Sequence, residues 1–396
     1  MFGKSITLFT IAGFSIRIDL SWLLILALVV WSLSAGVFPR MYEDLPSWVY
    51  WLMGAAAALG LFASIVFHEL CHSLVARRYG IPMTGITLFL FGGAAEMSDE
   101  PPSPKAELLM ALAGPAASVV VCAAFLLIAA GGAVGAWPEE LVGVIRWIGF
   151  INGVLVVFNL LPAFPLDGGR ALRSILWHLK GNLRQATHTA SRVGAAFGAA
   201  LMVLGFLELL MLQAIGGLWL ILIGLFIRAA ARQGYQQVLV RQALEGERVE
   251  RFMNDQPVTV PAETTVADWV ENYVYEHHFK MFPVVRDGQL AGCVTTQQAK
   301  DLPRGQWGQT AVEELAKACS EENTIEPDAD AIEAFRRMNQ KDASRLMVVR
   351  DGQLVGIIAL KDLLKFLSLK LDLEGQQDSA SGLGRGGPLA RADETN

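Results

Sequence analysis

Residues 47–78 read SWVYWLMGAAAALGLFASIVFHELCHSLVARR. Before the closing Arg77-Arg78 pair, the acid, base and imidazole side chains of this stretch are confined to His68, Glu69 and His72. About 20 apolar residues suffice for a helix to cross the hydrocarbon core of a bilayer, so the stretch reads as a membrane span. Ionisable groups at that depth are costly and are kept for function. Positions i and i+4 of a helix lie on one face a turn apart, so His68 and His72 can direct their imidazoles to a single metal ion. Glu69 lies beside that face, where it can take a proton from water activated at the metal. The chain holds only 6 His in 396 residues, which makes this spacing improbable by chance. Two imidazoles and an expected carboxylate point to zinc. Cys71, within the motif, reads as a small packing residue.

The rest of the N-terminal part shares the solvent of this span. The chain is 53% hydrophobic and 18% charged, with a mean hydropathy of +0.41. The charge is unevenly placed: 26 charged side chains in residues 1–232 against 44 in 233–396, about 11% against 27%. Apolar runs at 20–37, 48–75, 108–135, 141–161, 194–212 and around 218–227 give about six helical spans. In a six-span arrangement all Lys and Arg of residues 1–232 except Arg40 and Arg146 fall on one side. By the excess of basic residues on the inner face, both termini and the C-terminal part are expected in the cytosol of a multi-pass protein of the cell membrane. The first 17 residues read as a short cytosolic or interfacial strand. A formal charge of −6 argues against nucleic acid as a partner. Four cysteines without a CxxC pair argue against a disulfide framework.

A catalytic zinc keeps three protein ligands and one open position. Glu96, Asp167 and Glu208 are the acids near membrane depth. Glu208 falls toward the outer end of its span, far from His68 and His72. Asp167 stands in VVFNLLPAFPLDGGR, where Pro162 and Pro165 must break the fourth span and can turn Asp167 inward. Such a break is tolerated in a membrane where protein or a water-filled cavity receives the freed backbone groups. HELCH, followed by Asn159-Leu-Leu-Pro-Ala-Phe-Pro-Leu-Asp167-Gly168, resembles the site-2 protease family of intramembrane zinc metalloproteases over most of residues 18–232. The resemblance implies His68, His72 and Asp167 as ligands of one Zn2+ and Glu69 as general base. It implies that Asn159 contacts the substrate or the developing oxyanion, and that the substrates are single-span membrane proteins. The chain departs from the family in having Cys71 where Gly is frequent. Gly85–Met97, rich in β-formers and glycine, resembles the family's membrane-associated β segment, whose edge can pair with an unwound substrate. Ala113–Ser118 supplies the small residues that let helices approach closely.

The charged half contains a repeat. FPVVRDGQLAG at 282–292 recurs as LMVVRDGQLVG at 346–356, each copy reading as strand, Asp-Gly turn, strand and helix. The pair is similar to tandem cystathionine-β-synthase (CBS) domains. That resemblance implies a cytosolic α/β module that regulates the membrane half, can bind an adenine nucleotide and can pair into a homodimer. The nucleotide pattern is split between the copies: the first has Thr295 with Gln298 in the Asp position, the second Asp362 with Ala359 in the hydroxyl position, so a purely structural or dimerising module stands as the alternative to a nucleotide-binding one. The expected organisation is a transmembrane domain over 1–232, a linker over 233–252, a CBS pair over 253–371 and a disordered tail over 372–396. Two rival readings use the same residues: a CBS-gated channel or transporter, and an inactive homologue that only binds membrane proteins.

Overall fold

The computed structural model describes residues 6–81, 83–89, 92–97, 100–212, 216–340 and 343–382. Chain contacts divide it into two compact units, residues 1–238 and 239–396.

The first unit holds six helices long and apolar enough to cross a membrane. We label them α1 (Leu20–Met41), α2 (Ser47–Arg78), α3 (Pro104–Val134), α4 (Glu139–Asn159), α6 (Leu183–Leu212) and α7 (Gly216–Leu244), with the shorter α5 (Asp167–Lys180) between α4 and α6. Many of their large apolar side chains, among them Leu24, Leu52, Leu127, Val157 and Leu210, face outward, as hydrocarbon solvent permits. Where helices meet, small residues let them close: a methyl group at Gly149 would strike Leu126, and one at Gly198 the backbone of Gly224. α7 continues well beyond the apolar run near 218–227 into the polar stretch expected as a linker.

The N-terminal residues, expected as one strand, form a hairpin of β1 (Ile6–Ile11) and β2 (Phe14–Ile18). Ala12 and Gly13, both at positive φ, make the two-residue turn, a geometry that suits the twist of a tight hairpin. The expected β segment is present as β3 (Met83–Phe89) and β4 (Gly92–Met97). It belongs to a larger sheet in the order β1-β2-β3-β4, with β2 and β3 parallel. β3 is therefore paired on both sides, and the free edges among the described residues are β1 and β4. α2 passes straight into this sheet through Gly80, whose positive φ ends the helix.

The second unit contains two similar halves. One has a sheet of β5 (Val260–Pro261), β6 (Met281–Arg286) and β7 (Gln289–Thr295). The other has β8 (Thr324–Ile325), β9 (Arg345–Arg350) and β10 (Gln353–Ala359). In each half the short strand is parallel to the middle one and the last two form a hairpin. The hairpins turn at Asp287-Gly288 and Asp351-Gly352 with matching φ of 52° and 79°. Trp269 and Phe282 fill one core, Leu346, Met338 and Ile358 the other. Leu244 and Val249 complete the second core, so the chain enters this unit through its C-terminal half. The first part of the tail expected from residue 372 falls within the last helix, Leu360–Gly382. The remainder of the expected tail lies outside the described residues.

Candidate metal centre

α2 carries His68 and His72 on its buried face. α4 ends at Asn159, and the next residues turn irregularly past Pro162 and Pro165, with Ala163 N–H donating to Leu161 O and Leu166 N–H to Ala163 O. This break delivers Asp167 to the first turn of α5. Gly168 and Gly169 allow it: a methyl group at either would lie 2.2 Å from Leu160 O or 2.1 Å from Phe164 N.

The three side chains meet. His68 Nε2 and His72 Nε2 are 3.1 Å apart, and Asp167 Oδ2 lies 3.1 Å from the first and 3.2 Å from the second. Glu69, half-buried, is within electrostatic reach of His72, His68, Asp167 and Arg170, which sets it beside the triangle. Cys71 and Glu208 are not in the group among the described residues, and Glu208 lies close to Gly216 at the start of α7; the side chain of Glu96 lies outside the described residues. Asn159 is half-buried at the end of α4, and no hydrogen bond joins it to the three side chains among the described residues.

α3, which donates no candidate ligand, seats both imidazoles. His72 Nδ1–H donates to Met110 O at 2.6 Å, and His68 Nδ1 pairs with Ser118 Oγ at 2.9 Å. A carbonyl oxygen only accepts, so the His72 proton is fixed on Nδ1 and its Nε2 lone pair faces the triangle. Gly114 stands between these contacts, and a methyl group there would lie 2.1 Å from His72 Nε2 and 2.4 Å from His68 Nε2. Met110 has no functional signature in the sequence, and Gly114 and Ser118 fall in the Ala113–Ser118 run that was read for close helix approach rather than for seating imidazoles.

The donor set fits a zinc ion. Bonds of 2.0–2.1 Å in a tetrahedron separate neighbouring ligand atoms by about 3.3–3.4 Å, close to the 3.1–3.2 Å found here. Two neutral imidazoles and one carboxylate are also the donors zinc takes in hydrolytic sites that leave a position open.

Six membrane-length helices among the described residues, together with a buried His-His-Asp group, define a membrane-embedded metalloenzyme. The sequence profile of Peptidase family M50 matches residues 56–136 and 134–204, and that of the CBS domain matches 249–300 and 312–369. The chain is 36% identical over 367 residues to the "Putative zinc metalloprotease Rip3" of Mycobacterium tuberculosis, covering 92% of this chain and 93% of that one. It is 29% identical to a zinc metalloprotease of Methanocaldococcus jannaschii, covering 92% and 96%. Among solved structures, a site-2 protease from Methanocaldococcus jannaschii is similar at 30% identity, covering 58% of this chain and 94% of that one, with a TM-score of 0.42. The chain belongs to the site-2 proteases of peptidase family M50 and is a multi-pass zinc metalloprotease with C-terminal tandem CBS domains.

Proposed function

We propose that this protease cuts single-span membrane proteins inside the bilayer, near the cytosolic leaflet, with His68, His72 and Asp167 holding one zinc ion. The observation that carries this reading is the buried triangle of donor atoms between two spans and a broken third. Peptide bonds of a membrane helix are shielded by their own hydrogen bonds and by lipid, so the substrate must unwind before attack. The free edge of β4 is the element suited to pairing with the unwound strand. Zinc, when bound, supplies Lewis acidity that polarises the scissile carbonyl and eases ionisation of water. Glu69 takes the proton of the attacking water on its carboxylate and returns it to the leaving amine. Asn159, through its amide N–H, stabilises the oxyanion. The positions of the basic residues favour the cytoplasmic membrane, with both termini and the CBS pair in the cytosol.

The CBS pair is the regulatory part, and its ligand is an adenine nucleotide. A cleft of about 450 Å³ between its two halves is lined by Arg251, Phe279, Arg345, Lys361, Asp362 and Lys365, among others. Arg345 lies over the Phe279 ring, and its buried Nη1 has no hydrogen-bond partner among the described residues. Burial pushes the Arg345 guanidinium below its ordinary pKa, with Asp362 acting the other way. An anionic phosphate would compensate this charge, while Asp362 accepts from the ribose hydroxyls. The equivalent pair in the first half is already occupied: Gln298 Oε1 accepts from Thr295 N–H and Oγ1–H, and Gln298 Nε2–H donates to Leu315 O. Leu364, Leu369 and Leu373, exposed along the last helix, favour pairing with a second copy through this module.

The test is reconstitution of the purified protein in liposomes with a single-span substrate, followed by mass spectrometry of the products. The reading expects a cut within the span on the cytosolic side, absent in Glu69→Gln. Cleavage confined to soluble loops would overturn it.

A further inference from the structure

The irregular stretch before Asp167 packs its backbone closely on Gly168 and Gly169 but gives the start of α5 no side-chain anchor. No side chain caps α5, whose N-cap is Leu166, and residues 160–166 have no continuous helical ladder. Side-chain contacts made farther along α5 therefore bear on where Asp167 stands.

Two contacts tie α5 to the start of α3. Arg173 is 4% exposed and Glu107 fully buried, and Arg173 Nε–H donates to Glu107 Oε1 at 2.5 Å. A second arm of the same guanidinium, Nη2–H, donates to Glu100 Oε2 at 3.2 Å, and the plane lies over the Phe164 ring in the broken segment. One residue further on, Ser174 Oγ–H donates to Pro104 O at 2.6 Å. Glu107 stands three residues before Met110, whose carbonyl holds His72, and eleven before Ser118, which holds His68. Residues 107, 110, 114 and 118 follow helical spacing, so one stripe of α3 addresses α5 at one end and the two histidines farther along.

We propose that the buried Arg173–Glu107 pair, with the half-buried Glu100, is the device that positions Asp167 against His68 and His72. Arg173 is six residues from Asp167, about 9 Å along the helix. A tilt of α5 by about 10° about Arg173 would carry Asp167 by about 1.6 Å, three times the tolerance of about 0.5 Å that a preorganised site allows. A buried ion pair is weak evidence for stability, because desolvation offsets its attraction, and replacing both partners by apolar residues is often neutral. Its retention here is explained by direction: a guanidinium fork that meets two carboxylates and a ring fixes an orientation that an apolar contact does not.

This inference rests on the zinc site proposed above, and the experiment separates the two. Wild type, Glu107→Leu/Arg173→Met and Arg173→Lys are purified in detergent. Thermal melting, zinc affinity by chelator competition and the visible spectrum of the Co2+-substituted proteins are then measured. The expected result is a double variant that melts near wild type, binds zinc at least about tenfold more weakly, the lower end of what loss of a direct outer partner of a ligand costs, and shows an altered Co2+ spectrum. Arg173→Lys, which keeps the charge but loses one arm, should show a smaller weakening and a spectrum shifted the same way. If the double variant does not fold, Arg173→Lys alone decides. Wild-type zinc affinity and Co2+ spectrum in whichever folded variant is tested would overturn the positioning role. A wild-type protein that binds neither metal would instead remove the zinc site itself.

Discussion

Replacing Gly114 by Ala should abolish metal binding while leaving the protein folded. The added methyl carbon would lie 2.1 Å from His72 Nε2, 2.4 Å from His68 Nε2 and 2.7 Å from His68 Cδ2. Relief to an ordinary separation of about 3.4 Å requires a movement of about 1.3 Å. The rings cannot retreat freely, because Met110 O and Ser118 Oγ hold their Nδ1 atoms at 2.6 and 2.9 Å. Overpacking of this kind costs about 1–3 kcal/mol, and exchanging Gly for Ala inside a helix returns about 1 kcal/mol, so the net loss of stability is small. The ligand geometry is far less tolerant: a displacement above about 0.5 Å exceeds what a functional constellation accepts. We expect zinc affinity to fall at least about 100-fold, equivalent to about 2.7 kcal/mol. Metal analysis of the purified variant, beside its thermal melt in detergent, provides the check. A well-folded Gly114→Ala protein that retains one zinc per chain would refute the reasoning, since the methyl group and the metal-facing nitrogens cannot share that space.

Other changes probe the neighbouring elements. Ser118→Ala removes the partner of His68 Nδ1 without adding bulk, and should weaken zinc binding about 10–100-fold by chelator competition. Asn159→Ala should lower kcat about 100–1,000-fold while leaving zinc content unchanged, the pattern of a lost oxyanion donor; equal loss of zinc would assign it a structural role. Arg345→Met should weaken binding of ATP or AMP in calorimetry by at least about tenfold, whereas Thr295→Ala, in the half whose polar groups already pair with each other, should leave it unchanged.

The candidate ligands that the structure brings together, His68, His72 and Asp167, were legible because they are anomalies in their surroundings. His68, Glu69 and His72 are conspicuous in an apolar span, and Asp167 follows two prolines that no continuous helix admits. The Asp-Gly turns of the repeat were equally plain, since φ of 52° and 79° is what that dipeptide is used for. What surrounds the site was not legible, for a physical reason. Met110 contributes a backbone carbonyl, which every residue possesses, and Gly114 contributes the absence of a side chain. The partnership of Glu107 with Arg173 joins positions 66 apart in the chain. The parallel pairing of β2 with β3 was hidden for a similar reason, because two whole spans separate the strands.

The central claim is tested most directly by one paired measurement on the same preparations: zinc content and proteolysis of a membrane-spanning substrate, for wild type and Glu69→Gln. The account predicts one zinc per chain in both proteins and cleavage by wild type, with the rate falling at least about 100–10,000-fold in the variant, because Glu69 moves the proton but does not hold the metal. Zinc present in both with cleavage undiminished in Glu69→Gln would contradict it.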